Sequence, residues 1–270
     1  MNAFAQHLAF QFRTGIRDRS LLLMNYLFPL GFYLLMGALM GQVNPGFLGS
    51  LIPAMAVLAV MSGTLLALPG TLVEAREAGI FRSYKVNGVP ALSILVIPVL
   101  TTMVHSLIVA ILVGVSAPSL FHAAVPTSWA GFLLVFLAMS FAFAGIAGLI
   151  GVVSSNNQMT VLLSQLIFLP SMVLGGLMLP TSMLPTGLGK VALLLPTTYA
   201  MNAFGELAMG QTMPVNSVLS LAILVASGAL AFYLAVYLFR WDSKNAARRA
   251  HPALALLALL PYIAGLVLIR

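Results

Sequence analysis

The residues able to act as catalysts or metal ligands are few, and their spacing supports neither role. His105 stands alone in an apolar run, and neither H-E-x-x-H nor a pair of carboxylates occurs inside such a run. A lone histidine in this setting is typical of a hydrogen-bonded packing residue. The chain has no cysteine, which excludes thiolate catalysis and disulfides. The sequence therefore predicts a protein that is not an enzyme.

A nucleotide-binding loop is also missing. The motif G-x-x-x-x-G-K-[ST] does not occur, and the Gly-Lys pair at Gly189 and Lys190 is followed by valine. We therefore predict that this chain binds no cofactor. ATP and Mg²⁺ would instead be held by a separate ATPase that touches the chain from the cytoplasm.

The composition predicts an all-α integral membrane protein. Hydrophobic residues make up 61% of the 270 residues, and the mean hydropathy is +1.08. A membrane-crossing helix needs roughly 20 apolar residues. Six runs meet this requirement, at residues 21–41, 51–73, 90–116, 129–153, 159–179 and 215–239.

A seventh apolar run, 253–269, is slightly short and contains Pro261. It either crosses the membrane with a kink or lies at the interface. We therefore divide the chain into a transmembrane domain, residues 1–251, and an extra C-terminal apolar helix, residues 252–270.

The basic residues predict the orientation. They form no stripe on a soluble face, so the net charge of +7 does not indicate nucleic-acid binding. If the six runs alternate, only Lys190 and Arg270 lie opposite the rest, and the positive-inside rule makes the basic side, with the N-terminus, cytoplasmic. The basic-side residues are Arg13, Arg17, Arg19, Arg76, Arg82, Lys85, Arg240, Lys244, Arg248 and Arg249.

Ion coupling has no obvious machinery in the six runs. They contain no Asp, Glu, Lys or Arg, which a carrier would use to bind a driving proton or ion near mid-membrane. A sodium site built from carbonyl groups would still allow an ion-coupled carrier, which stays an alternative.

Two flanking features predict further short helices. Phe4, Leu8, Phe12 and Ile16 recur at i+4 spacing, which predicts an amphipathic helix in the headgroup plane or, alternatively, a frayed tail. Between the fifth and sixth runs, prolines divide the chain into pieces too short to cross the membrane. We predict two outer helices there, at 186–195 and 198–209, with Pro185 and Thr197 as start signals.

The segment EAREAGIFRSYK, residues 74–85, concentrates charge between the second and third runs. EAREAG predicts a short helix that Gly79 ends. Arg76, Glu77 and Arg82 would project from it toward a soluble partner. The alternative interpretation is an ordinary solvated loop.

The pattern E-x-R-E-x-G, formed by Glu74, Arg76, Glu77 and Gly79, resembles the coupling helix of type-2 ABC exporter permeases. The resemblance extends to the interfacial helix, the six spans and the outer segment, where Pro180, Pro185, Pro196, Tyr199 and Glu206 occur.

The resemblance implies a permease that pairs with a second, identical or related permease and binds two cytoplasmic ATPase subunits. It also implies that the first, second and fifth spans line the dimer interface and a lateral opening to the bilayer. The residues implied are Asn25, Tyr26, Phe32, Met36, Ser62, Thr64, Gln158, Ser164, Gln165, Phe168 and Met172.

From these observations we expect a multi-pass permease that exports a lipophilic or amphipathic compound across a bacterial plasma membrane. A polysaccharide or glycolipid is the alternative substrate. Two other classes of function, an ion-coupled carrier and a membrane scaffold without transport, remain open at this point.

Overall fold

The computed structural model describes residues 19–178, 183–241 and 250–269. Within these ranges every regular element is a helix, so the predicted all-α class is confirmed. The predicted interfacial helix built on Phe4 to Ile16 lies outside the described residues. So do Pro180 and the basic residues beyond position 241.

Six helices of the described part are long and apolar enough to cross a bilayer, which confirms the predicted number. They are α1 (Leu23–Val43), α2 (Leu51–Glu77), α4 (Ala91–Phe121), α5 (Trp129–Val153), α6 (Asn157–Leu174) and α9 (Ser217–Tyr237). The shorter helices include α3 (Ile80–Val86), α7 (Thr186–Ala192), α8 (Pro196–Leu207) and α10 (Pro252–Leu268), besides a helical turn at Arg19–Leu22 and a 3₁₀-helix at Pro45–Gly49.

Polar side chains fix where three of the long helices begin. Ser128 Oγ accepts from the Gly131 N–H at 3.1 Å, Asn156 Oδ1 from Met159 at 2.9 Å, and Asn216 Oδ1 from Val218 at 2.8 Å. These bonds satisfy N–H groups that have no partner within the helix itself. At its other end, α6 stops at Leu174, five residues before the predicted end at 179. Gly176, just after this end, adopts a φ of 87°, as is common beyond a helix C-terminus.

Small residues let the helices approach closely. A Cβ at Gly145 would lie 2.9 Å from the Gly228 carbonyl oxygen, and one at Gly228 would overlap the ring of Phe141. The α5–α9 contact therefore depends on glycine, as membrane helix interfaces often do. α2 is buried along almost its whole length, whereas α1 and α6 expose most of their apolar surface.

The two short helices between α6 and α9 form as predicted, with shifted ends. α7 starts after Pro185 but ends at Ala192. α8 begins at Pro196, not at Thr198, because the fixed φ of proline suits the first helical position, where its missing N–H costs nothing. The seventh run, α10, is a 3₁₀-helix over Pro252–Leu259 that continues as α-helix over Leu260–Leu268 and lies along α9.

Candidate functional site

The charged segment lies at one end of the bundle, here called the basic end, and it is organised around Gly79. α2 continues without a break through Glu77, and the Gly79 N–H donates to the Arg76 carbonyl. Gly79 has a φ of 76°, a conformation that favours glycine, and α3 starts at the next residue. The prediction that EAREAG forms a separate helix was therefore wrong: it is the end of α2, and the short helix is α3.

Arg76 does not project toward a partner, which corrects a second prediction. Its side chain is only 4% exposed, and Nη1 donates to the carbonyls of Gly151 at 3.3 Å and Val152 at 3.1 Å, while Nη2 donates to that of Ser154. The last carbonyls of a helix lack intrahelical partners and carry partial negative charge. A buried guanidinium satisfies several of them, so Arg76 fastens α2 to the end of α5.

A second bond fastens α2 to α6. Asn157 Nδ2 donates to Glu74 Oε1 at 3.2 Å, and Thr160 Oγ1 donates to the Asn157 carbonyl at 2.6 Å. Close packing supports the α2–α5 contact at Arg76, since a Cβ at Gly151 of α5 would lie 2.8 Å from Leu72 Cδ1. The end of α2 is thus tied to two other long helices.

α3 presents one side to the bundle and another to solvent. Phe81 is 4% exposed, and its ring packs 5.4 Å from that of Phe239, just after α9. The exposed residues at this corner include Glu77, Ile80, Arg82, Lys85 and Val86, with Val86 84% exposed. An anchored helix with exposed apolar and charged side chains is suited to docking a second protein.

A groove of about 200 Å³ lies between α1, α2 and α6, near the basic end. Met24 and Leu65 contribute to its apolar side. α6 contributes the polar side, where Asn157, Thr160, Ser164 and Gln165 lie within about two turns. In the described part of the chain, Ser164 Oγ and Gln165 Oε1 are buried without a hydrogen-bond partner. Such atoms cost about 1–3 kcal/mol each unless another molecule supplies the bond.

Only two of the residues predicted to line the path, Ser164 and Gln165, line this groove. Ser62 and Thr64 are fully buried and donate to carbonyls of their own helix. Met36 and Phe168 are buried in the core, and Tyr26, Phe32 and Met172 are half-buried. Gln158 is exposed at the start of α6.

The contact between α1 and α2 contains a feature that the sequence did not indicate. Both helices are locally π-helical, over Leu23–Leu27 and Ser62–Ala67, and the two stretches touch. Asn25 is buried against Gly63, where a Cβ would lie 2.5 Å from Asn25 Oδ1.

His105 of α4 forms a hydrogen bond to the π-helical stretch of α1. Its Nδ1 lies 2.6 Å from Tyr26 Oη, a hydrogen bond between α1 and α4. The interpretation of His105 as a hydrogen-bonded packing residue is confirmed.

The opposite end of the bundle carries α7 and α8. Tyr199 Oη donates to the Leu193 carbonyl at 2.7 Å, and burial raises the pKa of Tyr199 to about 12, so its hydroxyl keeps the proton that it donates. Glu206 Oε2 accepts from the Ser217 N–H at 2.7 Å. Glu206 thus caps the first turn of α9, where the helix dipole favours negative charge.

One family describes most of this architecture. The family model of the ABC-2 type transporter matches residues 3–207, more than half of the chain. The chain belongs to the ABC-2 type transporter family. It is therefore a multi-pass membrane permease component of an ABC transporter, and it requires a partner ATP-binding subunit. No curated protein and no solved structure matches the chain.

The family match covers most of the helices of this ABC-2 permease. It includes α1 to α8, so the joint at Arg76, the groove and the α7–α8 pair are all within it. It stops at Leu207, the last residue of α8, and leaves α9 and α10 outside.

Proposed function

We propose that this permease exports a lipophilic or amphipathic compound across a bacterial plasma membrane, driven by an ATPase that docks on α3. The carrying observation is that α2, which forms one wall of the groove, leads through Gly79 into the exposed helix α3 and is held to α5 at this point by the buried Arg76. A solvated loop would not need a buried arginine at its base.

Orientation is part of the proposal. In the described residues, Arg19, Arg76, Arg82, Lys85 and Arg240 lie at the basic end, whereas Lys190 lies at the other. The positive-inside rule makes the basic end cytoplasmic, where an ATPase can reach α3. Export then runs from the groove toward the α7–α8 pair.

Movement of α3 can reach the groove by a short route. When ATP brings two ATPase subunits together, each subunit pushes on α3 of the permease copy that it binds. Gly79 joins α3 directly to α2. Glu74 then transmits the movement to α6 through Asn157, and Arg76 transmits it to α5. Since α2 and α6 form two walls of the groove, its width changes with the state of the ATPase.

The lining of the groove favours an amphipathic ligand over a glycan. Among the described residues, its lining combines methionine and leucine with a few amides and hydroxyls and includes no aromatic side chain. Apolar walls with a few polar groups suit small lipophilic molecules, whereas the many hydroxyls of a buried glycan would each need a hydrogen-bond partner. Its volume is below the ~300–1,000 Å³ of a typical ligand site, so the ligand needs the groove to open or a second copy to complete it.

The exposed side of α6 supports pairing with a second permease. Met159, Leu162, Leu166, Leu169 and Val173 are all exposed and follow one another at alternating spacings of three and four. This is the spacing of a helix seam that packs against another helix. We therefore include a permease dimer in the proposal, with α6 in its interface.

Acidic substitutions on α3 test the docking role. We expect Ile80→Asp and Val86→Asp to reduce the amount of ATPase that co-purifies at least tenfold, because each puts a charge into an apolar contact. Leu188→Asp is the matched control, since Leu188 is an exposed apolar residue on α7 at the opposite end. Equal ATPase recovery from all three variants would contradict docking on α3.

A substitution in the groove tests the substrate path. We expect Gln165→Leu to raise the KM for ATP-driven uptake of ethidium into inside-out vesicles about tenfold, the value of one hydrogen bond to a ligand. Thermal stability should not fall, because the change removes a buried atom without a partner. Gln158→Leu, on the same helix but outside the groove, should leave KM unchanged. An unchanged KM in Gln165→Leu would mean that the substrate does not bind in this groove during transport.

A further inference from the structure

α10 lies outside the family match, and the transport route described above does not use it. From Pro252 to Ile269 it carries no charged residue. The side turned away from α9 is apolar, with Leu256, Leu260 and Val267 each more than half exposed. A helix that lies flat on a membrane has a polar side facing water. α10 has none, so its surface suits lipid all round.

Contacts with α9 fix the direction in which α10 runs. Ser227 Oγ donates to Tyr262 Oη at 2.6 Å, and three residues later a Cβ at Gly265 would lie 2.8 Å from Ile223 Cδ1. Residue numbers rise along α10 as they fall along α9, so the two helices are antiparallel. α9 ends at the basic end, where Phe239 packs on Phe81. α10 therefore starts at the basic end and runs toward α8.

The length of α10 matches a bilayer because of its mixed helix type. The 3₁₀ part has eight residues and the α part nine. At about 2.0 and 1.5 Å per residue these parts span about 30 Å, the thickness of the hydrocarbon core, whereas a uniform α-helix would span about 25 Å. Pro252 and Pro261 each lie in the first turn of their part, where a missing N–H is tolerated.

The far part of α10 supports a residue of the α7–α8 pair. Tyr199 is fully buried, and its ring lies 5.8 Å from that of Tyr262. A Cβ at Gly265 would lie 3.0 Å from Tyr199 Cζ and would overlap its hydroxyl. Any larger side chain at Gly265 would displace Tyr199 from the Leu193 carbonyl, the bond that joins α8 to the end of α7.

We propose that α10 is a seventh membrane crossing, which brings Ile269 to the side of α7 and α8 and holds Tyr199 in place. Gly265 and Tyr262 are positioning residues for the α7–α8 pair. The proposal of a seventh crossing rests only on the contacts, length and composition of α10. The effect on transport rests on the proposed function.

The absence of cysteine permits a direct test of the crossing. Single cysteines are introduced in the full chain and labelled with a membrane-impermeant maleimide in vesicles of each orientation. Val86→Cys marks the α3 side, and Lys190→Cys, exposed on α7, marks the other. We expect Ile269→Cys to label with Lys190→Cys and Leu259→Cys to stay protected in both orientations. Labelling of Ile269→Cys from the α3 side, or of Leu259→Cys from either side, would overturn the crossing.

Neighbouring substitutions test the positioning role in the complex with its ATPase. We expect Gly265→Leu to lower the amount of ethidium transported per ATP hydrolysed at least fivefold while ATP hydrolysis continues. Ala264→Leu, which faces outward one residue away, should keep the ratio. An unchanged ratio in Gly265→Leu, or an equal loss in both variants, would overturn the positioning role. Tyr262→Phe, which removes the Ser227 bond without adding bulk, should lower the ratio less. The labelling requires no transport, so it succeeds or fails independently of the proposed function.

Discussion

Replacing Arg76 with glutamine is expected to abolish ATP-driven transport and to lower the stability of the permease by about 3 kcal/mol or more, because three buried carbonyls lose a charged donor and each unsatisfied acceptor costs about 1–3 kcal/mol. The variant loses the bonds to the carbonyls of Gly151, Val152 and Ser154. Glutamine is too short to replace them, so the end of α2 separates from α5. Thermal unfolding in detergent and ATP-driven ethidium uptake measure the two effects.

Two further variants separate the effect of the Arg76 hydrogen bonds from the effect of its charge. Arg82→Gln removes the same charge from the exposed side of α3, and it should keep the stability while weakening ATPase binding. Arg76→Lys keeps the charge but has fewer donors in a less suitable geometry, so it should recover part of the stability. If Arg76→Gln unfolds at the temperature of Arg82→Gln, the joint between α2 and α5 does not exist as described.

Replacing Gly131 with alanine is the second change with a large expected effect. A Cβ at Gly131 would overlap the Leu207 carbonyl group at the end of α8. Neither backbone can move away, because Thr127 N–H and Ser128 N–H both donate to the Ala208 carbonyl, at 2.7 and 3.1 Å. We expect a loss of about 3 kcal/mol or more, at the upper end of the cost of overpacking, and a lower unfolding temperature.

Gly148→Ala provides the control on the same helix. No atom lies within 4 Å of a Cβ at Gly148. Alanine favours a helix over glycine by about 1 kcal/mol, so the control should unfold at the same temperature as the parent or slightly higher. Equal stability of the two variants would mean that α8 does not pack against the start of α5.

The sequence predicted the long helices and the Pro-divided segment because each depends on local composition. Hydrophobic length predicted the six crossings, and Pro185 marked the start of α7, whereas α8 starts at Pro196, two residues before the predicted start. Gly79 was correctly predicted to end a helix. The length of that helix was misjudged, since the charges in EAREAG suggested a break from the apolar run where the backbone simply continues.

Features that depend on distant parts of the chain could not be predicted. The partners of Arg76 are backbone carbonyls some 75 residues away, and a carbonyl leaves no trace in residue type. Similarly, the π-helical stretches at Asn25 and Gly63 arise from packing between α1 and α2. The 3₁₀ start of α10 had no sequence signal either, and without it the slightly short run could be assigned either to a kinked crossing or to the interface.

ATP-driven transport by the reconstituted complex tests the central claim most directly. The permease is purified with the ATPase that it retains and placed in proteoliposomes, and accumulation of ethidium and of a fluorescent phospholipid is measured after ATP is added outside. We predict accumulation in vesicles whose α3 faces outward, at a rate that ionophores leave unchanged. Transport that does not depend on ATP and stops when the ion gradient collapses would contradict the account. So would a permease that retains no ATPase on purification.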